Sequence, residues 1–451
     1  MTRQQRLVLI VSILASFVAF LDSSVVNVAL PAITRSLGGG LVTQQWVVDA
    51  YLITLGSLIL LAGSLSDLFG RKRILISGLI GFAVTSILCT IAPNSTFLIV
   101  TRGLQGIAGA LLVPSSLALI ISTFSHKAQG KAIGTWTAWT GISFIIGPLL
   151  GGFLVDTVSW RLIFAINILP IAVCLWLIRL LDQAEQTKKV KVDVIGAILC
   201  SFGLGGSVFG LIEQQHFGWH NPIILVPLLS GLVFLISFVW YENKNSTPML
   251  PLSLFKVRNF RVGNIATSAI YGGLSIATFL IVIFLQQVSG YSALAAGFSL
   301  LPVTIIMFLL SPRFGALAGK YGPRFFMTFG PLLAGVGFLL MLMTKSHVVY
   351  WSQLLPGVIV FAVGLSMTVA PLTAAVLGDV EPHQAGIASA VNNAVSRIAG
   401  LITIAIAGVL VGSYLDLDGF HRAIVVTVLL VMCGGVVSAF GIRNHVDIEA
   451  K

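Results

Sequence analysis

The sequence predicts an all-α polytopic membrane protein: two six-helix bundles plus an inserted helix pair, fourteen transmembrane helices in all, both termini cytoplasmic. Three observations predict it. Hydrophobic residues make up 57% of the 451 positions and charged residues only 9%, against about a quarter charged in soluble proteins. Too few charges remain to build a water-facing surface, so lipid must cover most of the exterior. Apolar runs of membrane-spanning length follow one another along the whole chain. The basic residues fall almost entirely in alternate connecting segments.

Taken in order, the spans are 7–30, 45–64, 74–92, 97–122, 132–155, 162–181, 194–212, 221–240, 262–287, 295–318, 325–344, 350–376, 385–411 and 422–441. Arg3 and Arg6 precede the first in the manner of a signal peptide, but no small-residue cleavage site follows. The run continues for a full span, so it is expected to stay as the first helix. The seventh span is the shortest, and losing it would invert everything after it. Charge decides the matter. With the N-terminus inside, 20 of the 26 Lys and Arg lie on the cytoplasmic side, among them Arg71, Lys72, Arg73, Lys127, Lys188, Lys189, Lys191 and Lys451. Only Arg35, Arg161, Lys345 and Arg422 lie outside, and Arg102 and Arg397 lie within spans. That asymmetry obeys the positive-inside rule and also accounts for the net charge of +11. Nucleic acid is therefore not expected as a partner; the bilayer is.

Polar stretches at 182–193 and 241–261 flank the seventh and eighth spans and divide the chain into residues 1–182, an inserted segment 183–261, and residues 262–451. A repeat relates the outer two. Gly63-Ser-Leu-Ser-Asp67-Leu-Phe-Gly70-Arg71-Lys72 follows the second span, and Gly315-Ala-Leu-Ala-Gly319-Lys320-Tyr-Gly322-Pro323-Arg324 follows the tenth. Duplicated blocks are how many transporters build a central pathway. Cys89, Cys174, Cys200 and Cys433 lie in apolar runs without ligand spacing and read as buried small hydrophobes. No HExxH, P-loop or Gly-rich nucleotide turn occurs, so neither an enzyme, a metal, a cofactor nor direct ATP drive is expected.

Several motifs together point to a family. The stretch from Gly63 through Asp67, Gly70, Arg71 and Lys72 resembles the loop signature of the major facilitator superfamily. Leu21-Asp22-Ser-Ser-Val-Val-Asn27-Val-Ala29-Leu30-Pro31 is similar to the first-helix motif of its fourteen-helix drug:proton antiporter branch. Gly134, Ser143, Gly147, Pro148, Gly151 and Gly152 resemble the fifth-helix antiporter motif, and Arg102-Gly-Leu-Gln105-Gly106 the fourth-helix motif. Trp46-Val-Val-Asp49-Ala-Tyr51 is similar to the quaternary-ammonium exporters of that branch. The resemblance covers the whole chain. It departs at Ser143, where the family usually has Gly, and at Leu68, where it usually has a basic residue; Gly319 replaces the acid in the second loop copy.

Asp22 is the first candidate for proton coupling. An acid inside a span costs about 3 kcal/mol on insertion scales and is a functional candidate by default. Asp22 lies roughly 22 Å up its helix, and Asp49 and Arg102 lie roughly 6–8 Å below the outer face, so three charges share a depth. The competing reading is an Asp22–Arg102 pair that only fixes packing. Asp49 is placed to attract a lipophilic cation or carry a proton; alternatively it is an interfacial acid facing water. Phe17, Phe20, Trp136 and Trp139 recur at helical spacing and could wall a cation site or simply pack. The glycines Gly134, Gly147, Gly151 and Gly152 let a neighbouring helix approach, and Pro148 bends the span. The resemblance implies that this contact seals the interface against proton leak. Asp67 with Arg71 to Arg73 is read as a latch, the acid at a helix N-terminus, in addition to its topological signal. Glu213, beside Gln214, Gln215 and His216, reads as a solvated outer loop. Arg397 with Asn392 and Asn393 reads as structural.

Together these predict a multi-pass protein of the plasma (inner) membrane that acts as a monomer. It would be a proton-coupled antiporter exporting lipophilic, cationic small molecules as its two blocks rock about a central cavity. The alternatives are a proton symporter or facilitator of a nutrient, and a membrane-embedded enzyme or receptor.

Overall fold

The computed structural model describes residues 1–124, 126–181, 192–381, 384–412 and 414–444; the expected linker over 182–191, with Lys188, Lys189 and Lys191, and the terminal Lys451 lie outside them. Every regular element among the described residues is helical. The first eight helices are α1 (Arg3–Leu37), α2 (Leu41–Phe69), α3 (Arg71–Thr90), α4 (Ser95–Thr123), α5 (His126–Gly141), α6 (Ser143–Thr157), α7 (Leu162–Ala165) and α8 (Ile168–Ile178). The inserted pair is α9 (Val194–Phe217) and α10 (Pro222–Lys244). There follow α11 (Arg258–Gln287), α12 (Ala293–Ser299), α13 (Leu301–Tyr321), α14 (Pro323–Met341), α15 (Leu355–Gly378), α16 (Ala385–Val411) and α17 (Leu417–Gly441). Among the described residues, thirteen helices are long and apolar enough to cross a membrane. The expected sixth span, 162–181, is the exception: it is the shorter apolar stretch Leu162–Ile178, split at Ile166 and Asn167 into α7 and α8.

Helix ends follow local chemistry. Thr2 and Gln5 form a reciprocal capping box on α1. Asn94, Asp193, Asn221 and Asp416 cap α4, α9, α10 and α17 through side-chain oxygens. The two halves of the sequence repeat share one backbone device. Gly70 between α2 and α3 has φ +97°, and Gly322 between α13 and α14 has φ +86°. A side chain is strained in this left-handed region, which explains the glycine at the corresponding point of both copies.

The chain divides into two compact units: Met1–Leu250 with Ser292–Gly297, and Pro251–Tyr291 with Phe298–Lys451. In the first unit, Gln4 and Lys72 both donate to carbonyls just beyond α8, Leu180 and Leu181, at 3.3 and 2.8 Å. The basic N-terminus and the α2–α3 turn therefore share one end of the unit, as the charge rule requires. At the opposite end, Arg161 donates to the Ala92 carbonyl at 2.8 Å. The inserted pair belongs to this unit, and α9 lies along α2, with Ser57 and Ser201 hydroxyls 3.0 Å apart.

In the second unit, α14 and α15 meet backbone to backbone. A Cβ added at Gly337 would lie on the Phe361 amide and 2.7 Å from the Gly357 carbonyl, and one at Gly364 would lie 2.6 Å from the Gly330 carbonyl. Small residues at such seams replace the hydrophobic drive that lipid removes. The Asn392 amide of α16 donates to Asn264 (3.1 Å) and Thr267 (2.8 Å) of α11. Of the four cysteines, Cys433 is exposed, unlike the expectation, because it shares an exposed face of α17 with Leu429, Val436 and Phe440; the other three are buried.

Gly337→Ala is expected to lower the stability of the detergent-solubilised protein by about 1–3 kcal/mol, the usual cost of overpacking. Gly205→Ala on α9, where an added Cβ meets nothing within 4 Å, should leave the thermal midpoint unchanged or higher.

Candidate functional site

A buried ion pair lies inside the first unit. The Arg102 guanidinium of α4 donates from Nη1 to Asp22 Oδ2 of α1 at 2.6 Å, with side-chain exposures of 2% and 0%. Nη1 also donates to Gln105 Oε1 at 2.6 Å, and Nε donates to the Val47 carbonyl of α2 at 3.0 Å. The other Asp22 oxygen accepts from Gln105 Nε2 (3.2 Å) and Asn167 Nδ2 (3.0 Å). Gln105 and Asn167 both reach the Ser86 hydroxyl of α3, at 3.0 and 3.4 Å. Aromatic faces enclose the cation: the guanidinium carbon stands 4.4 Å from the Tyr51 ring and 5.7 Å from the Phe164 ring. Side chains of α1, α3, α4 and the α7–α8 break thus converge on one charge pair, and the α2 backbone closes it.

The sequence supplies local reasons for this convergence. Arg102 and Gln105 are three apart on α4, so they share a face. Asn167 is the lone amide in the stretch Leu162–Ile178 and stands at the helix break, where its amide projects to the pair. Its role, and those of Gln105 and Ser86, escaped the motif reading. An amide alone in an apolar run was the available signal for Asn167.

Asp49 stands two residues beyond Val47 on α2 and is fully buried, at 0% exposure. Neither of its oxygens has a hydrogen-bond partner. The interfacial alternative fails here, since no part of this carboxyl faces water. A charged carboxylate without donors is costly in such a setting.

The glycines of the fifth-span motif have three kinds of surroundings. An added Cβ at Gly147 would fall on the Ser24 hydroxyl of α1, and one at Gly151 on Val25. Gly152 is closed by the backbone of Ala293 and Leu294, at 2.5 to 2.8 Å from an added Cβ, and these residues cluster with the first unit. Gly134 faces open space. The Ser24 hydroxyl donates to both Leu21 O (2.9 Å) and Ser143 O (3.1 Å). The glycine face of α6 therefore packs on α1 beside Asp22. Pro148 sits in α6, and the fifth span runs over Lys131–Thr157 with a one-residue irregularity at Ile142, where the Ser143 hydroxyl donates back to the Thr140 carbonyl at 2.6 Å.

The four aromatic candidates do not behave as one wall. Phe20 meets Phe144 with ring centroids 5.8 Å apart. Trp136 donates to the Ser16 hydroxyl at 3.1 Å and lies nearer to α1, whereas Trp139 is 55% exposed. In the loop signature, Asp67 pairs with Arg71 at 3.1 Å, both partly exposed. Asp67 occupies the last turn of α2 rather than a helix N-terminus, so the pairing base, not the helix dipole, offsets its charge. Gly63 faces open space.

Glu213 is not a solvated loop residue. It lies in the last turns of α9 with its side chain 16% exposed, and it accepts from the Trp46 indole at 2.7 Å. Trp46 also meets Phe209 at 6.1 Å, and Gln215 donates to Gln45 at 3.2 Å.

Comparison with known proteins bears on what such a bundle does. The sequence model described as "Major Facilitator Superfamily" matches residues 12–196 and 194–404. A multidrug resistance protein, Stp, of Mycobacterium tuberculosis is 34% identical over 92% of this chain and 78% of its own length. The methylenomycin A resistance protein of Bacillus subtilis is 33% identical over 90% and 87%, respectively. The puromycin resistance protein pur8 of Streptomyces alboniger is 32% identical over 88% and 80%. The solved xylose transporter XylE of E. coli, in a partially occluded inward-open conformation, superimposes with a TM-score of 0.66 at 13% identity, covering 96% of this chain and 97% of that one. At that identity the likeness speaks for the fold.

Removing one member of the buried pair should be severe. Arg102→Met or Asp22→Asn is expected to cost about 3–5 kcal/mol, because the remaining partner is left short in the core. The double variant should lose clearly less than the sum of the two, as read by thermal unfolding in detergent; additive losses would mean the two groups act independently.

Proposed function

This chain belongs to the major facilitator superfamily of membrane transporters, and we propose that it is a proton-coupled antiporter exporting lipophilic, cationic small molecules by alternating access. It is a multi-pass inner-membrane protein and not an enzyme. The resistance functions named for its relatives support export of drugs or toxic compounds rather than nutrient uptake. In this reading it works as a monomer.

One observation carries the coupling: two carboxyls sit fully buried in one helical unit under opposite circumstances. Asp22 is saturated by Arg102, Gln105 and Asn167, whereas Asp49 has no donor at all. Asp49 can be neutralised in two ways, by a proton or by the positive charge of a substrate. Competition between the two at one carboxyl is the simplest chemistry that exchanges one for the other. Asp22 and Arg102 transmit the outcome. Arg102 holds the Val47 carbonyl and stacks on Tyr51, the residues two before and two after Asp49 on α2. A proton on Asp22 would loosen Arg102 and so free that stretch of α2. Phe20, Trp136 and the exposed Trp139 supply ring faces on the neighbouring α1 and α5 for the apolar body of the substrate. Gly147 and Gly151 hold α6 close to the Asp22 region and exclude water from it, while Pro148 shapes the same helix and Gly152 seats it against Ala293 and Leu294. Gly63, Asp67, Gly70, Arg71 and Lys72 act as the gating loop, with the Asp67–Arg71 pair and the Lys72 bond to Leu181 as the contacts that open and close.

The test is export of cationic dyes from everted vesicles under an imposed proton gradient. Asp22→Asn, at matched membrane abundance, is expected to abolish gradient-driven export; undiminished export would refute its coupling role. Asp49→Asn is expected to reduce export of dications more than of monocations, and equal loss for neutral substrates would remove charge recognition.

A further inference from the structure

A fully buried Asp49 raises the question of how a proton reaches it. Gln45 and Trp46 precede Asp49 by four and three residues, so the three share a face of α2. Gln45 and Trp46 are the residues through which that face bonds α9, by way of Gln215 and Glu213. Asp49 therefore lies along the α2–α9 seam, roughly 4.5 Å deeper than Trp46. The outer end of that seam holds Glu213, 16% exposed, hydrogen-bonded at 2.9 Å to His216, 59% exposed. Other titratable or charged groups on the helices around this part of α2 are engaged elsewhere. Asp22 and Arg102 hold each other, the Tyr51 ring lies against the Arg102 guanidinium, Arg35 donates to the Pro31 carbonyl, and Cys89 is bonded to Thr101 and Gln105. Among the described residues, Glu213 and His216 are the titratable side chains that connect the aqueous end to the seam.

We propose that Glu213, supplied by His216, is the outer proton relay of Asp49, which makes the inserted helix pair part of the coupling path. The inference rests on the reading of Asp49 as a carboxyl that exchanges a proton. In the transfer, the O–H bond of protonated Glu213 breaks as one forms on the Asp49 carboxylate, directly or through one water. Glu213 is then reprotonated by the imidazolium of His216 or by solvent. The Trp46 indole, donating to Glu213 Oε1, holds the carboxyl over the seam throughout and carries no proton itself.

The relay is tested on the full chain in lipid by infrared spectroscopy, which needs no substrate. The protonated-carboxyl band that disappears in Asp49→Asn is followed as the sample is moved into heavy water. Glu213→Gln keeps an oxygen for the Trp46 indole but cannot titrate, and is expected to slow exchange of that band at least tenfold. Glu213→Asp should restore most of the rate. Equal exchange in Glu213→Gln and the parent overturns the relay, as does the absence of any band assignable to Asp49. Ethidium export from everted vesicles runs in parallel: loss of gradient-driven export with dye-for-dye exchange retained supports the relay, whereas loss of both in Glu213→Gln marks a structural strut and overturns it. Failure of the parent protein to export ethidium would count against the proposed function alone, leaving the infrared rates to judge Glu213.

Discussion

The arrangement of the first unit follows from one constraint: a guanidinium and a carboxylate cannot sit in a low-dielectric bundle unless their remaining donors and acceptors are met. Removing such charges from water costs several kcal/mol per ion even after relaxation. The chain meets this demand with Gln105, Asn167, Ser86 and the Val47 carbonyl, drawn from separate segments. Each contact fixes a helix. Gln105 sets the rotation of α4, Asn167 the position of the α7–α8 break, and Val47 the height of α2. The ion pair is thus less a source of net stability than a specification of which faces meet. The contrast with Asp49 follows directly. That carboxyl, two residues from Val47 on α2, has no donor, so holding it charged there would be costly.

Much of this was legible from the residues alone. Length and hydrophobicity located the spans, and the distribution of Lys and Arg oriented them, because a membrane imposes both rules strongly. The depth count brought Asp22, Asp49 and Arg102 to one level, and two of the three proved to be in contact. Rotation about the helix axis is what a depth count omits, so it could not tell which acid Arg102 would choose. The partners Asn167 and Ser86 were hidden for the same reason: each is a small polar residue in an apolar run, and only the fold brings them together. Glu213 was misread because a polar cluster at a span end looks solvated in one dimension. The neighbouring α2 surface that receives it lies more than 160 residues away in sequence.

The repeat illustrates a different kind of legibility. Gly70 and Gly322 were visible as aligned glycines, and both adopt the left-handed backbone that requires them. The charges around them have diverged. Asp67 pairs with Arg71 in the first copy, whereas Gly319 occupies the equivalent point of the second and faces open space. Backbone geometry outlasted side-chain chemistry, as expected where a tight turn admits one residue type and a surface ion pair contributes little.

The split sixth span connects the ion pair to the lipid itself. Leu162–Ile178 measures roughly 25 Å as a helix, against about 30 Å of hydrocarbon, and Leu169, Val173 and Trp176 along it are exposed at 73%, 41% and 61%. A membrane must thin beside this segment, or the segment must lengthen or shift, at a cost of fractions of a kcal/mol per ångström. The joint that would yield is the break at Asn167, whose amide holds Asp22. Any adjustment to acyl-chain length at that joint would reach the carboxylate that the helices surround, so bilayer thickness and the ion pair would meet at one residue.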